Sequence, residues 1–133
     1  MRASLVLNLL RILTWGCVIL LAVVSLLPGQ ALAAALSLLP AIKMVRSVLP
    51  APLEHFVVYA GVAAIAVAGY GPSRGRVRII GALCVYAGIL EYIRHFSPGR
   101  HPSIGKFTGS ALGVLCGGLA MVLLWRRLSA HPR

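Results

Sequence analysis

A helix needs about 20 mostly apolar residues to cross the ~30 Å hydrocarbon core of a bilayer, and the spacing of charges rules this chain into lengths of that order. From Ile12 no charged residue occurs until Lys43, and Pro28-Gly29 breaks that stretch. A first span is therefore expected from about Ile12 to Leu27. Gln30 to Ile42 is too short to cross and is read as an interfacial or re-entrant helix ending near Pro40, with Lys43 and Arg46 in the headgroups. A second span is expected from His55 to about Gly71, where Gly71-Pro72-Ser73 supplies turn chemistry. Arg74, Arg76 and Arg78 fill a tight loop before a third span, Ile79 to about Phe96, which Ser97-Pro98-Gly99 stops. The fourth, Phe107 to Trp125, is charge-free and ends on Trp125-Arg126-Arg127, an aromatic anchor followed by a cationic one. The expected fold is all-α, a single domain forming a polytopic bundle of four transmembrane helices with a short interfacial helix between the first two.

Composition excludes the alternatives. Of the 133 residues 59% are hydrophobic and only 11% charged, too few to dissolve the surface of a soluble domain. Thirteen Lys and Arg oppose two acids, Glu54 and Glu91, for a net charge of +11. These cations stand in short clusters between apolar runs, which fits the flanks of membrane spans facing anionic lipid and does not fit a nucleic-acid-binding stripe. Counting Lys and Arg by side gives eight (Arg2, Arg11, Arg74, Arg76, Arg78, Arg126, Arg127, Arg133) against five (Lys43, Arg46, Arg94, Arg100, Lys106). The excess places both termini in the cytoplasm. Arg2 and Arg11 before an apolar run, with Ala31-Leu32-Ala33 beyond it, have the outline of a cleavable signal peptide, but the apolar core is long for one and the segment is read as a retained span. Cys17, Cys84 and Cys116 are odd in number and share no CxxC spacing, so they are expected to be small buried apolar residues.

Ionisable groups within a span are costly and normally have a partner or a purpose. Glu91 lies in the outer half of the third span, followed at i+3 and i+4 by Arg94 and His95, which place all three on one helical face. His55 and Tyr59, one turn apart on the second span, put Tyr59 at about the depth of Glu91. One reading is structural: Glu91 is neutralised by Arg94 or Arg100 and ties helix ends to a loop, with His55 and Tyr59 as interfacial anchors. The other is a site. The Arg94 to Lys106 segment is rich in Arg, Lys and His and could hold a lipid phosphate at the outer surface. Gly109, Gly113 and Gly117 form a repeated GxxxG register that clears one face of the fourth span for close approach of another helix, within the chain or from a partner or second copy. Gly81 and Gly88, and Ala60, Gly61, Ala64 and Ala68, follow the same logic. No phosphate-cradling Gly loop, nucleophile elbow or His-Glu metal motif is present, so neither a cofactor nor a metal is expected.

In their order, His55-Phe56-x-x-Tyr59, a basic loop, Glu91-x-x-Arg94, Pro98-Gly99-Arg100-x-x-Ser103 and a Gly-rich last helix containing Gly113 resemble the VanZ-like family over about residues 50 to 120. That resemblance implies a small multi-span protein of the bacterial cytoplasmic membrane, in a family whose founding member is associated with teicoplanin resistance. Taken with the residue chemistry above, the expectation is a polar cluster of His55, Tyr59, Glu91, Arg94, Arg100 and Ser103 at the outer face that binds or shields an anionic envelope lipid, with Glu91 and Arg100 as the central pair. Ala51 and Pro52 stand where the family tends to show Asp-Lys, Arg94 where it has Gln, and Lys106 and Ser110 where it has Asp and Asn. Those departures make a binding or structural cluster the expectation, ahead of an enzyme using His55 or Glu91 as acid or base. A non-enzymatic accessory subunit packing through Gly109, Gly113 and Gly117 is the alternative function.

Overall fold

A computed structural model describes residues 2–70, 75–99 and 101–130. The Gly71-Pro72-Ser73 turn with Arg74, and also Arg100 and Arg133, lie outside the described residues. Those described fold entirely into helices and their connections: α1 (Arg2–Leu26), α2 (Gly29–Ser37), α3 (Pro40–Val48), α4 (Ala51–Tyr70), α5 (Arg76–Ile93), a short 3-10 turn (Arg94–Phe96) and α6 (Ile104–Ser129).

α1, α4 and α6 outrun the apolar stretches that marked them, because a charge at a headgroup does not stop helical hydrogen bonding; only Pro, Gly and caps do. α5 is shifted toward its N-terminus and ends at Ile93, short of the expected Phe96. Three of them, over Ser4–Leu26, Ala51–Tyr70 and Ile104–Leu128, are long and apolar enough to cross a membrane. They mark the chain as a helical membrane protein. α5 stands apart from these three, since its 18 residues include Arg76, Arg78 and Glu91.

The segment expected to be one interfacial helix is two. Leu38-Leu39 interrupts it, and Pro40 opens α3 rather than closing α2. Proline belongs at a first helical position, where its missing N–H would have had no partner. Gly99 takes φ +73 in the turn after the 3-10 segment, the left-handed conformation that a Pro-Gly turn reserves for glycine. This turn is tied to α2 by the hydrogen bond from the Gly29 N–H to the Pro98 carbonyl, 3.3 Å.

The register of the Gly stripe sets the packing of the two innermost helices. A Cβ added at Gly109, Gly113 or Gly117 would overlap the backbone of Pro52, Phe56 or Ala60 respectively. Both series climb in steps of four, so α6 runs parallel to α4 with its glycines over α4 backbone carbonyls. Helices in lipid gain no hydrophobic drive toward each other and rely on such close packing, to which Cα–H···O contacts contribute. The Gly109/Gly113/Gly117 face is thus covered by α4 of the same chain. Gly88 packs against Phe107, whereas Gly61 and Gly81 meet nothing within 4 Å and lie on exposed faces, contrary to the expectation that they serve helix contacts.

The core is small-residue rich: Val62, Ala63 and Ala66 of α4, Leu83 and Ala87 of α5, and Val114 of α6 are buried, with Cys17, Val18 and Leu21 of α1 packed against them. The other direction of each helix follows from its ends. Arg11 of α1 donates from Nε to the Gly69 carbonyl at the end of α4, 3.0 Å, and lies 5.5 Å over the Tyr70 ring. Trp15 Nε1 donates to the Tyr70 hydroxyl, 2.9 Å. A guanidinium beside the last carbonyls of a helix meets the negative end of its dipole. Ser25, at the far end of α1, is level with His55 near the start of α4 through a shared partner, Arg94. α1 and α4 are therefore antiparallel. α5 is antiparallel to α6, since its Ile80 meets Gly118 and its Gly88 meets Phe107. The thiols are free; Cys17 and Cys84 are half-buried, but Cys116 is exposed, because α6 turns its glycine face inward and Cys116 outward.

Candidate functional site

The expected cluster forms at the level where α1 and α5 end and α4 and α6 begin. Its centre is Arg94, which is buried at 7% exposure beside Glu91 at 9%. After Ile93 the chain tightens into a 3-10 turn, in which side chains three apart eclipse. Arg94 thereby stays on the Glu91 face, while His95 swings out and is exposed, correcting the reading that all three share one face.

From that position Arg94 reaches three helices. Nη1 donates to Glu91 Oε2 at 2.7 Å and lies 3.0 Å from His55 Nε2, and Nη2 donates to Ser25 Oγ at 3.0 Å. A guanidinium has no acceptor, so His55 Nε2 accepts; His55 Nδ1 sits 2.9 Å from the Ala51 carbonyl, which cannot donate, so Nδ1 carries the proton. His55 is thus a neutral imidazole held in one tautomer. Glu91 Oε1 accepts the backbone N–H of Ser103, the residue before α6, at 2.8 Å. One carboxylate and one guanidinium so join α1, α4, α5 and the start of α6.

The predicted members are placed as follows. His55, Glu91 and Arg94 touch directly, and Ser103 joins through its backbone and not its hydroxyl. Tyr59 is no interfacial anchor: it is 3% exposed, belongs to the core, and shares a hydrogen bond with Ser110. Arg100, expected as the central partner of Glu91, lies outside the described residues; among those described, Arg94 pairs with Glu91. Ser25 was missed; it is 1% exposed, and a lone Ser in an apolar run carries no sign of its partner. Both nitrogens of His55 are engaged, and each oxygen of Glu91 holds one hydrogen bond.

Two cavities flank the cluster. One, of about 380 Å³ between α5 and α6, is lined by Gly88, Glu91, Tyr92, Ser103 and Phe107. The other, of about 260 Å³, opens on the opposite side among α1, α2, α3 and α4, with Ser25, Glu54, His55 and Arg94 as its polar wall. Arg94 Nε is buried and has no hydrogen-bond partner among the described residues.

Comparison of the chain with protein-family profiles, with curated proteins and with solved structures finds no match. The class defined by fold and site is a helical membrane protein whose helix ends are drawn together by a buried Arg-Glu-His-Ser cluster.

Proposed function

We propose that this chain is a VanZ-like integral protein of the bacterial cytoplasmic membrane, with four spans and both termini inside. It binds an anionic envelope lipid at its outer face and contributes to glycopeptide or envelope-stress tolerance without being an enzyme. The observation that carries this reading is the buried Arg94 cluster, gathered at one end of the bundle and flanked by two cavities walled mainly by apolar side chains.

α5 supports the fourth span by its course. It runs from the level of Gly118 on α6 to the level of Ser25 on α1, alongside the three apolar helices, and its 18 residues give about 27 Å at 1.5 Å per residue. Arg76 and Arg78 fall at its beginning, and Glu91 is neutralised by Arg94. Strict alternation of α1, α4, α5 and α6 then returns the C-terminus to the side of the N-terminus. α2 and α3 lie at the outer interface; the side chains of Lys43 and Arg46 on α3 are outside what the structure describes.

The experiment has two arms. Cysteine accessibility in right-side-out vesicles should label His101→Cys from outside, and Gly75→Cys and Ala130→Cys only after permeabilisation. Teicoplanin tolerance and phosphatidylglycerol co-purification should both fall in Arg100→Ala. Lipid retention and susceptibility identical to the parent protein in a stably inserted Arg100→Ala chain refutes the binding role. The accessory-subunit reading has less support, because α4 already covers the glycine face it requires.

A further inference from the structure

The end of the bundle opposite the Arg94 cluster holds cations and no acidic side chain. Both acids of the chain, Glu54 in the first turn of α4 and Glu91 in the last turn of α5, stand at the other end. Two of the cations, Arg11 and Arg78, flank a groove. α1 and α5 run parallel, since each is antiparallel to one of the parallel pair α4 and α6. The Tyr86 hydroxyl of α5 donates to the Val18 carbonyl of α1, which sets those two residues at one level. At 1.5 Å per residue Arg11 lies about 10 Å below that bond along α1 and Arg78 about 12 Å below it along α5, so the two arginines are themselves level.

Between that level and the bond, α1 and α5 part over a cavity of about 220 Å³ floored by Ala66 and Tyr70 of α4. Trp15 and Val18 line one side, one and two turns above Arg11, and Ala82 and Tyr86 line the other, one and two turns above Arg78. Residues so spaced share a helix face, which puts each arginine at the mouth of the groove on its own wall. The polar atoms of the walls are already engaged: Thr14 Oγ1 donates to the Leu10 carbonyl at 2.8 Å, Trp15 Nε1 to the Tyr70 hydroxyl at 2.9 Å, and Tyr86 to Val18. The interior therefore offers apolar surface. The mouth offers donors. Arg11 uses Nε on the Gly69 carbonyl, which leaves its two terminal amino groups without an acceptor among the described residues. Arg78 is exposed, and the Tyr70 hydroxyl, which accepts from Trp15, has its own proton to give.

We infer that this groove is a lipid site separate from the Arg94 cluster, holding one anionic glycerophospholipid with its phosphate between Arg11 and Arg78 and the first part of one acyl chain along Trp15 and Ala82. Guanidinium and phosphate form charge-assisted hydrogen bonds, and basic pockets between membrane helices take phosphorylated headgroups. A volume of about 220 Å³ admits part of a chain and not a whole lipid. The assignment does not depend on the function proposed for the outer face.

Trp15, which lines the groove, reports its occupancy. Trp125→Phe leaves it as the single tryptophan of the full-length chain. That protein is reconstituted into phosphatidylcholine vesicles containing either phosphatidylglycerol or phosphatidylcholine with brominated acyl chains, which quench indole on contact. Brominated phosphatidylglycerol should reach half-maximal quenching at a mole fraction about fivefold or more below that of brominated phosphatidylcholine, the contribution of one arginine at a lipid surface. Arg78→Gln should remove the preference and Arg78→Lys should keep most of it. Ala82→Phe, which fills the groove, should remove it at unchanged melting temperature. Arg126→Gln, which deletes the same charge from the end of α6 away from the groove, should leave it intact. Equal half-points for the two lipids overturn the site, as does a preference that survives Ala82→Phe or is lost equally in Arg126→Gln. Displacement of the lipid by equimolar glycerophosphoglycerol, the headgroup without chains, overturns the acyl-chain assignment.

Discussion

Replacing Arg94 by Met removes a charge that three helices share, and the structure allows the cost to be worked out. The substitution deletes the bonds to Glu91 Oε2 at 2.7 Å, to His55 Nε2 at 3.0 Å and to Ser25 Oγ at 3.0 Å. The larger effect is on what remains: Glu91, 9% exposed, becomes a buried carboxylate with only the Ser103 N–H to solvate it. Removing one partner of a buried ion pair costs about 3–5 kcal/mol. Glu91→Gln in the same chain relieves most of that, because the amide oxygen can still accept from Ser103 and no charge is left unpaired. The assay is a double-mutant cycle on reversible unfolding in mixed micelles, comparing Arg94→Met, Glu91→Gln and the pair. A coupling of about 2 kcal/mol or more is expected, with the double variant more stable than Arg94→Met alone. Additive single effects, or a cost below about 1 kcal/mol for Arg94→Met, would show that the cluster does not hold the helix ends together.

Other outcomes follow from the packing. Gly113→Ala should destabilise the protein by about 1–3 kcal/mol through overlap with the Phe56 carbonyl, while Gly61→Ala and Gly81→Ala, which meet nothing within 4 Å, should be neutral or slightly stabilising in the same unfolding assay. Arg11→Met should cost about 1 kcal/mol by loss of the bond to the Gly69 carbonyl, read as a lower melting temperature. Gly99→Ala should be destabilising despite open space around it, since its φ of +73 is unfavourable for a side chain. In a thiol-labelling time course in micelles, Cys116 should react before Cys17 and Cys84, in keeping with their exposure.

The long helices were legible because charge and turn residues punctuate an otherwise apolar chain, and most of their ends fall within a few residues of the expected bounds, although α1 begins at Arg2, well before the expected Ile12. Gly109, Gly113 and Gly117 announced a close approach, but only the backbone of α4 identifies the neighbour. The small residues Gly61 and Gly81 carried the same signal without an interface, because a small side chain is equally compatible with facing lipid. Glu91 was legible as a group needing compensation. The contact of Arg94 with Glu91, His55 and Ser25 together was not, since it turns on the tightening of the chain after Ile93. Ser25 was invisible for a related reason: its role exists only when α1 lies beside the 3-10 turn. α2 and α3 read as one helix because apolar composition continues through Leu38-Leu39, where the break is a matter of backbone geometry.

The parallel pairing of α4 with α6 bears on how the protein is made. Pro52 meets Gly109, Phe56 meets Gly113 and Ala60 meets Gly117 across the whole of α5, so the tightest helix contact joins the second apolar segment to leave the ribosome with the last. During synthesis α4 must wait in the bilayer with its carbonyl-lined groove open until α6 arrives. Contacts distant in sequence are late contacts, and an unfilled groove in the interval is a target for quality-control proteases or a holding chaperone. A chain arrested before α6 should therefore be degraded rapidly, even though every other helix is in place.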